Sequence, residues 1–195
     1  MNPYLLPFKD NTFDFVFSQE VFEHVKNYSE ALSEISRVLK PDGVCLHLFP
    51  SRYKPIEVHV FVPFSSIIQS YWWLYFWTFL GVRNEFQKSL STKERAIRDY
   101  NYLKDKTNYL SKSNLRKHFG EYFNDVLFCE KEFLRFSQRG RFLYAMSQKV
   151  PLIPSVYSTL RSRVILTRSP KKALKPTQID NLEMKFLKLR LAGNQ

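Results

Sequence analysis

Thr12-Phe13-Asp14-Phe15-Val16-Phe17, then Asn27-Tyr28-Ser29-Glu30, then Pro41-Asp42-Gly43 running into Val44 to Phe49, are the three phrases of the sequence that decide the fold. The first is dense in β-formers and follows the turn signal Lys9-Asp10-Asn11, so it reads as a strand. The second has the pattern of a capping box. Behind it Ala31, Leu32, Ile35, Val38 and Leu39 recur at helical spacing, which predicts an amphipathic helix of about three turns. Pro41-Asp42-Gly43 stops that helix, and Val44 to Phe49 is a short, mostly apolar run ending at Pro50, as a strand covered on both faces requires. Strand, helix, strand in that order implies a parallel α/β sheet.

Around this unit the chain has 195 residues, 44% hydrophobic and 25% charged. That is enough for one domain with a core and too apolar for disorder. The net charge of +12 is unevenly spread: the first fifty residues hold four basic and seven acidic side chains, while residues 161 to 190 hold nine basic and two acidic. Such a basic end suits anionic lipid, nucleic acid or solubility. Aromatic and basic residues are not interleaved there as single-strand binders require, so no nucleic-acid partner is expected. Cys45 and Cys129 lie in apolar stretches that read as strands, without a CxxC pair, and are expected to be reduced core thiols. Nothing at the N-terminus resembles a secretory leader, so a cytoplasmic location is expected, with membrane association open.

Val60 to Val82 contains no charged residue and is crowded with aromatics, Trp72, Trp73 and Trp77 among them. Its length suits a spanning helix. Pro63, Ser65, Ser66, Gln69 and Ser70 interrupt it, however, and aromatics favour interfaces over the bilayer centre. The reading is a buried or lid-forming helix, ahead of an interfacial membrane helix and of a span. Arg83, Lys88, Lys93, Arg95 and Arg98 follow, a charge pattern compatible with anionic headgroups. Further on, Ser111 to Phe123 reads as a helix capped by Ser111 or Ser113. Asp125 to Phe136 reads as a strand, 137 to 160 as an excursion containing Pro151 and Pro154, and Arg163 to Arg168 as a last strand. The domain is expected to span 1–170, with an aromatic and basic insertion over 55–108, and to end in a basic tail over 171–195 with a helix from Asp180 to Leu191.

The run Leu6-Pro7-Phe8-Lys9-Asp10-Asn11-Thr12-Phe13-Asp14-Phe15-Val16-Phe17-Ser18, with Glu23-His24-Val25 and Glu34-Ile35-Ser36-Arg37-Val38-Leu39-Lys40-Pro41-Asp42-Gly43, closely resembles class I S-adenosylmethionine-dependent methyltransferases of the type 11 family. The motifs cover residues 5 to 50; the remainder follows only by order of elements. The resemblance implies a Rossmann-like sheet in the order 3-2-1-4-5-7-6 with the last strand antiparallel, of which strands 4-5-7-6 are expected here, the first of them an exposed edge. The glycine-rich cofactor loop is not among the residues. The chain therefore reads as the C-terminal portion of such a domain, with half of the cofactor crevice at the switch point.

The same resemblance assigns cofactor contacts. Asn2 falls near the adenine, Leu5 and Leu6 pack on that ring, and Ser18 and Gln19 approach the methionine part of S-adenosylmethionine. Glu20, Glu23 and His24 stand at i, i+3 and i+4, one face of a helical turn. Two carboxylates and an imidazole suit several cations, and ubiquinone-pathway O-methyltransferases show a similar pattern, but relatives without metal share it and no metal is assigned. His24 is the candidate catalytic base. Methyl transfer is a direct displacement at a sulfonium, so the enzyme mainly aligns nucleophile and methyl group in a dry pocket. The expected activity is methyl transfer to a small or lipid-linked acceptor, lined by His59, the tryptophans and Tyr100 to Tyr102; the alternative is a non-catalytic membrane-surface binding module.

Overall fold

The computed structural model of the chain describes residues 4–83, 87–138 and 140–168. Asn2, the basic tail over 171–195 and the helix expected from Asp180 to Leu191 lie outside the described residues.

Strand β1 (Phe13–Gln19), helix α1 (Tyr28–Val38) and strand β2 (Leu39–Pro50) follow one another as predicted. Asn27 caps α1, its side-chain oxygen accepting from the Glu30 N–H at 3.3 Å, but the box does not close: Glu30 Oε1 accepts from Asn27 Nδ2 at 2.5 Å, while the Asn27 N–H donates to the Tyr4 hydroxyl at 3.1 Å. One boundary differs. β2 starts at Leu39, directly after α1, and the pairing with β1 jumps from Phe13 opposite Leu39 to Phe15 opposite Val44. Residues 40–43 are thus a bulge in the strand rather than a stop before it. Gly43 makes it possible, because a Cβ there would stand 2.6 Å from Leu39 Cγ and 2.9 Å from the Lys40 carbonyl.

With β3 (Asp125–Phe128) and β4 (Ser162–Arg168) the sheet has the order β1-β2-β4-β3. β1 and β2 are parallel, and β4 runs antiparallel to both β2 and β3. This is the expected arrangement of strands 4-5-7-6. Alternate residues of β2 bury opposite faces. Cys45 and Phe49 join Leu32 of α1 and Leu115 and Phe119 of α4 (Lys112–Tyr122), while Leu46 packs with Val164, Leu166 and Phe133. β1 is an edge and leaves Phe17 46% exposed.

Helix α5 (Glu130–Phe136) occupies the second half of the expected strand over Asp125 to Phe136, which ends at Phe128. Phe133 there packs against the sheet, and Leu134 is fully buried. Cys129 accordingly sits between strand and helix; both cysteines are free, and burial pushes the Cys45 thiol up to about 12. The excursion over 137–160 contains α6 (Arg141–Ser147) and α7 (Ile153–Leu160), with Pro154 in the first turn of α7, where its missing N–H costs nothing. The aromatic stretch forms only a short α2 (Tyr71–Phe79), which packs on α3 (Thr92–Lys106) around a second core of Val60, Val62, Leu74 and Leu103. Among the described residues no helix is long and apolar enough to cross a membrane.

The segment before β1 is tied down by one side chain. Arg37 donates through Nε and Nη2 to the Glu34 carboxylate at 2.9 and 2.8 Å, and through Nη1 to Asp10 Oδ1 at 2.6 Å and the Phe8 carbonyl at 2.8 Å. Its Nη2 also reaches the Leu6 carbonyl at 3.2 Å, and Leu6 N–H donates to Glu34 Oε2 at 3.1 Å. The Arg37 bonds, then the Leu6 N–H, hold the Glu34 carboxyl down to about 2. A carboxyl lowered by folding stabilises above its unfolded pKa, and the contribution is lost as pH falls from about 4.5 towards 2. Urea unfolding across that window is expected to show a smaller pH dependence in Glu34→Gln than in the wild type; identical slopes would dismiss the clamp.

Candidate active site

Parallel pairing brings the C-terminal ends of β1 and β2 to the same edge of the sheet. Ser18 and Gln19 end β1 there, on opposite faces. Ser18 is half-buried, and its hydroxyl lies 2.8 Å from Nδ1 of His47, its register partner on β2. His47 is fully buried between the rings of Phe22 and Phe119, at 4.6 and 5.4 Å, and burial pushes its pKa down to about 3, so the ring is neutral. Gln19 is exposed at the strand end. Leu6 is half-buried in the segment that Arg37 and Glu34 hold.

Beyond Gln19 the chain turns sharply. Glu20 has φ of 53°, in the left-handed region, and its N–H donates to the Leu48 carbonyl at 2.8 Å. A 3-10 turn over Phe22–His24 follows. Glu20 therefore does not share a helix face with Glu23 and His24. The third member of the cluster is His59, from the insertion: Glu23, His24 and His59 offer ligand atoms within 4.8 Å of one another. The His24 and His59 rings meet edge-on at 4.8 Å, with Tyr102 5.4 Å from His59.

Each imidazole is fixed from behind. His24 Nδ1 bonds the Lys106 carbonyl at 2.7 Å, and His59 Nδ1 bonds Glu57 Oε1 at 2.6 Å. Glu57 is 1% exposed and fully occupied: its other oxygen accepts from the His59 and Val60 N–H groups, both at 2.7 Å, and Tyr109 donates its hydroxyl at 2.5 Å. Burial alone would raise this carboxyl, but the bonds from His59, Tyr109 and Val60 outweigh it and keep Glu57 below the usual range. Glu23 is the opposite case. It is 1% exposed, neither carboxylate oxygen has a hydrogen-bond partner, and burial raises its pKa.

The main-chain frame of this cluster is stitched by Asn108, whose N–H donates to the Glu23 carbonyl at 2.6 Å and whose Nδ2 donates to the Val25 carbonyl at 2.8 Å. Lys26 Nζ adds bonds to the Lys104 and Thr107 carbonyls at 2.8 and 2.7 Å. Between Lys54 and Ile56, at the start of the insertion, and Leu152, Val156 and Tyr157 of the α6–α7 excursion, a cavity of about 600 Å³ opens. Trp73 and Trp77 belong to the second core, and Trp73 Nε1 donates to the Pro63 carbonyl at 2.8 Å. Trp72 is 74% exposed.

Sequence reasoning named His59 but passed over Glu57 and Tyr109. Glu57 stands two residues before His59, a spacing that was available as a signal; Tyr109, fifty-two residues further on, gave none. Replacing Glu57 by Gln puts an amide where four donors converge and is expected to cost about 2–3 kcal/mol of stability. Urea unfolding of Glu57→Gln checks this, and an unchanged midpoint would refute the hub.

The methyltransferase domain family matches residues 1–47 of the chain. The demethylmenaquinone methyltransferase of Symbiobacterium thermophilum is 36% identical over 98 residues, half of this chain and 35% of its own length. The glycine/sarcosine/dimethylglycine N-methyltransferase of Actinopolyspora halophila is 47% identical over 45 residues, 23% of this chain and 8% of its own. Among solved structures, phosphoethanolamine N-methyltransferase 2 of Haemonchus contortus, bound to phosphomonomethylethanolamine and S-adenosylhomocysteine, superposes with a TM-score of 0.41 at 16% identity, over 84% of this chain and 35% of that one. The chain thus spans about a third or less of the length of these relatives. It is residues 1–47, the stretch that holds β1, α1 and most of β2, that carry the match to the methyltransferase domain family.

Proposed function

We propose that this chain forms the acceptor-side part of an enzyme that moves a methyl group from S-adenosylmethionine to a small or lipid-linked acceptor. The observation that carries the reading is the family match over residues 1–47, laid on the parallel β1-α1-β2 unit. In this reading Gln19, exposed at the end of β1, meets the methionine part of the cofactor, with Ser18 beside it. Leu6, on the segment clamped by Arg37, packs on the adenine. Transfer needs little beyond alignment and exclusion of water. His24 is the candidate proton acceptor, its ring oriented by the Lys106 carbonyl.

The acceptor side is the insertion. The cavity beside Ile56, Leu152 and Val156 is apolar and suits a hydrocarbon tail. Demethylmenaquinone, the compound in the name of the Symbiobacterium relative, is a candidate acceptor. The second reading, a non-catalytic membrane-surface module, has the exposed side chains Trp72, Phe79 and Leu80 of α2 and its end in its favour.

Calorimetric titration of the 195-residue chain with S-adenosylmethionine is expected to give saturable binding, competed by S-adenosylhomocysteine and weakened about tenfold in Gln19→Ala, the worth of one charge-assisted hydrogen bond. Absence of binding would overturn the assignment of these contacts to this chain. Co-sedimentation with anionic vesicles without cofactor affinity would favour the membrane reading instead.

A further inference from the structure

We propose that Glu23, His24 and His59 form a binding site for one divalent transition-metal ion of the Zn²⁺ class. The site is built from two parts of the chain, the 3-10 turn after β1 and the start of the insertion. It does not require the methyl-transfer reading, since it rests on the side chains alone.

Three observations converge. First, the three residues offer ligand atoms within 4.8 Å of one another. Bonds of about 2 Å to a single ion set ligand atoms roughly 3–3.5 Å apart, so the side chains need to close by an ångström or so. Second, both imidazoles have the outer partner that metal-bound histidines carry. A carbonyl only accepts, so the His24 Nδ1 at 2.7 Å from the Lys106 oxygen bears the proton, and the lone pair of the neutral ring is on Nε2. His59 Nδ1 stands 2.6 Å from a Glu57 carboxylate that already collects donors from Tyr109 and two backbone N–H groups. It too is the donor, which leaves its Nε2 as acceptor. Third, the Glu23 carboxylate is 1% exposed with both oxygens unpartnered, next to these rings. A buried carboxylate without hydrogen bond or counter-charge is costly, and a dication removes that cost.

The donor set selects the ion. Two imidazoles and one carboxylate suit Zn²⁺, Co²⁺, Ni²⁺ or Fe²⁺ and disfavour Mg²⁺ and Ca²⁺, which take oxygen ligands. Three protein ligands leave at least one coordination position for water or an exogenous group. Glu20 is no part of the set, because its left-handed backbone takes it out of the turn that carries Glu23 and His24. As a ligand, His24 gives up the lone pair that a proton acceptor needs, so its base role belongs to the metal-free chain and its ligand role to the metal-bound one.

The test uses the untagged full chain, stripped with EDTA and titrated with Co²⁺ while its visible d–d absorption is followed. One equivalent is expected to saturate a visible band, with Zn²⁺ displacing it and raising Tm. Glu23→Gln, which keeps the side-chain volume, is expected to weaken Co²⁺ binding by about a hundredfold or more while far-UV circular dichroism stays native. Glu20→Gln is expected to bind as the wild type does. No saturable band in the folded wild type, or unchanged affinity in folded Glu23→Gln, would overturn the proposal. Equal loss in Glu20→Gln would overturn the ligand set.

Discussion

The parallel pairing of β1 with β2 is the constraint on which the rest depends. Parallel neighbours require a crossover, here α1, and they deliver both C-terminal ends to one edge of the sheet. The candidate site residues then leave from that edge: Ser18 and Gln19 from β1, the 3-10 turn immediately after, and, beyond the end of β2, the insertion from Pro55 onward. β2 fixes the edge in space because it is paired on both sides and buried on both faces. The bulge over 40–43 is the tolerance in this arrangement, since it lets α1 end directly in the strand without losing the register that sets Ser18 opposite His47.

That register has an electrostatic consequence. His47 is polar, fully buried and ringed by aromatics, and its neutral state is secured by burial itself. Its bond to Ser18 links the two strands by side chains as well as backbone. A hydroxyl engaged in this way is oriented, and it is less free to follow a ligand than the exposed Gln19 amide one residue later. The two neighbours therefore differ in kind, one structural and one available, although sequence alone puts them in a single pair of candidates.

How much was legible follows from how local each signal is. The cap at Asn27, the helical spacing from Ala31 to Val38 and the final strand through Val164, Ile165 and Leu166 are local patterns, and each corresponds to an element. Glu130 to Phe136 misled because Phe133 and Phe136 are strand formers, whereas Phe133 meets the sheet from a helix. Pro151 and Pro154 lie in the stretch read as an excursion, yet a proline in a first turn, as Pro154 is, starts a helix. The Glu20, Glu23 and His24 trio assumed helical phase through a turn whose backbone is left-handed at its entry. Glu57 and Tyr109 meet across fifty-two residues, and no period or spacing encodes that contact.

The cluster also sits between two packing units, which gives its geometry a mechanical meaning. Phe22 and Val25, flanking Glu23 and His24, belong to the main core, while Val60 and Val62, just after His59, belong to the second core with α2 and α3. The two are joined at this point by polar bonds: Asn108 to the Glu23 and Val25 carbonyls, Lys26 to Lys104 and Thr107, Tyr109 to Glu57. Apolar packing within each unit resists deformation, and hydrogen bonds across a polar seam yield first. A displacement of the insertion against the sheet would therefore change the separation of His24 and His59 before it disturbed either core. Binding to the insertion would in that way reach this cluster through the seam before it reached either core.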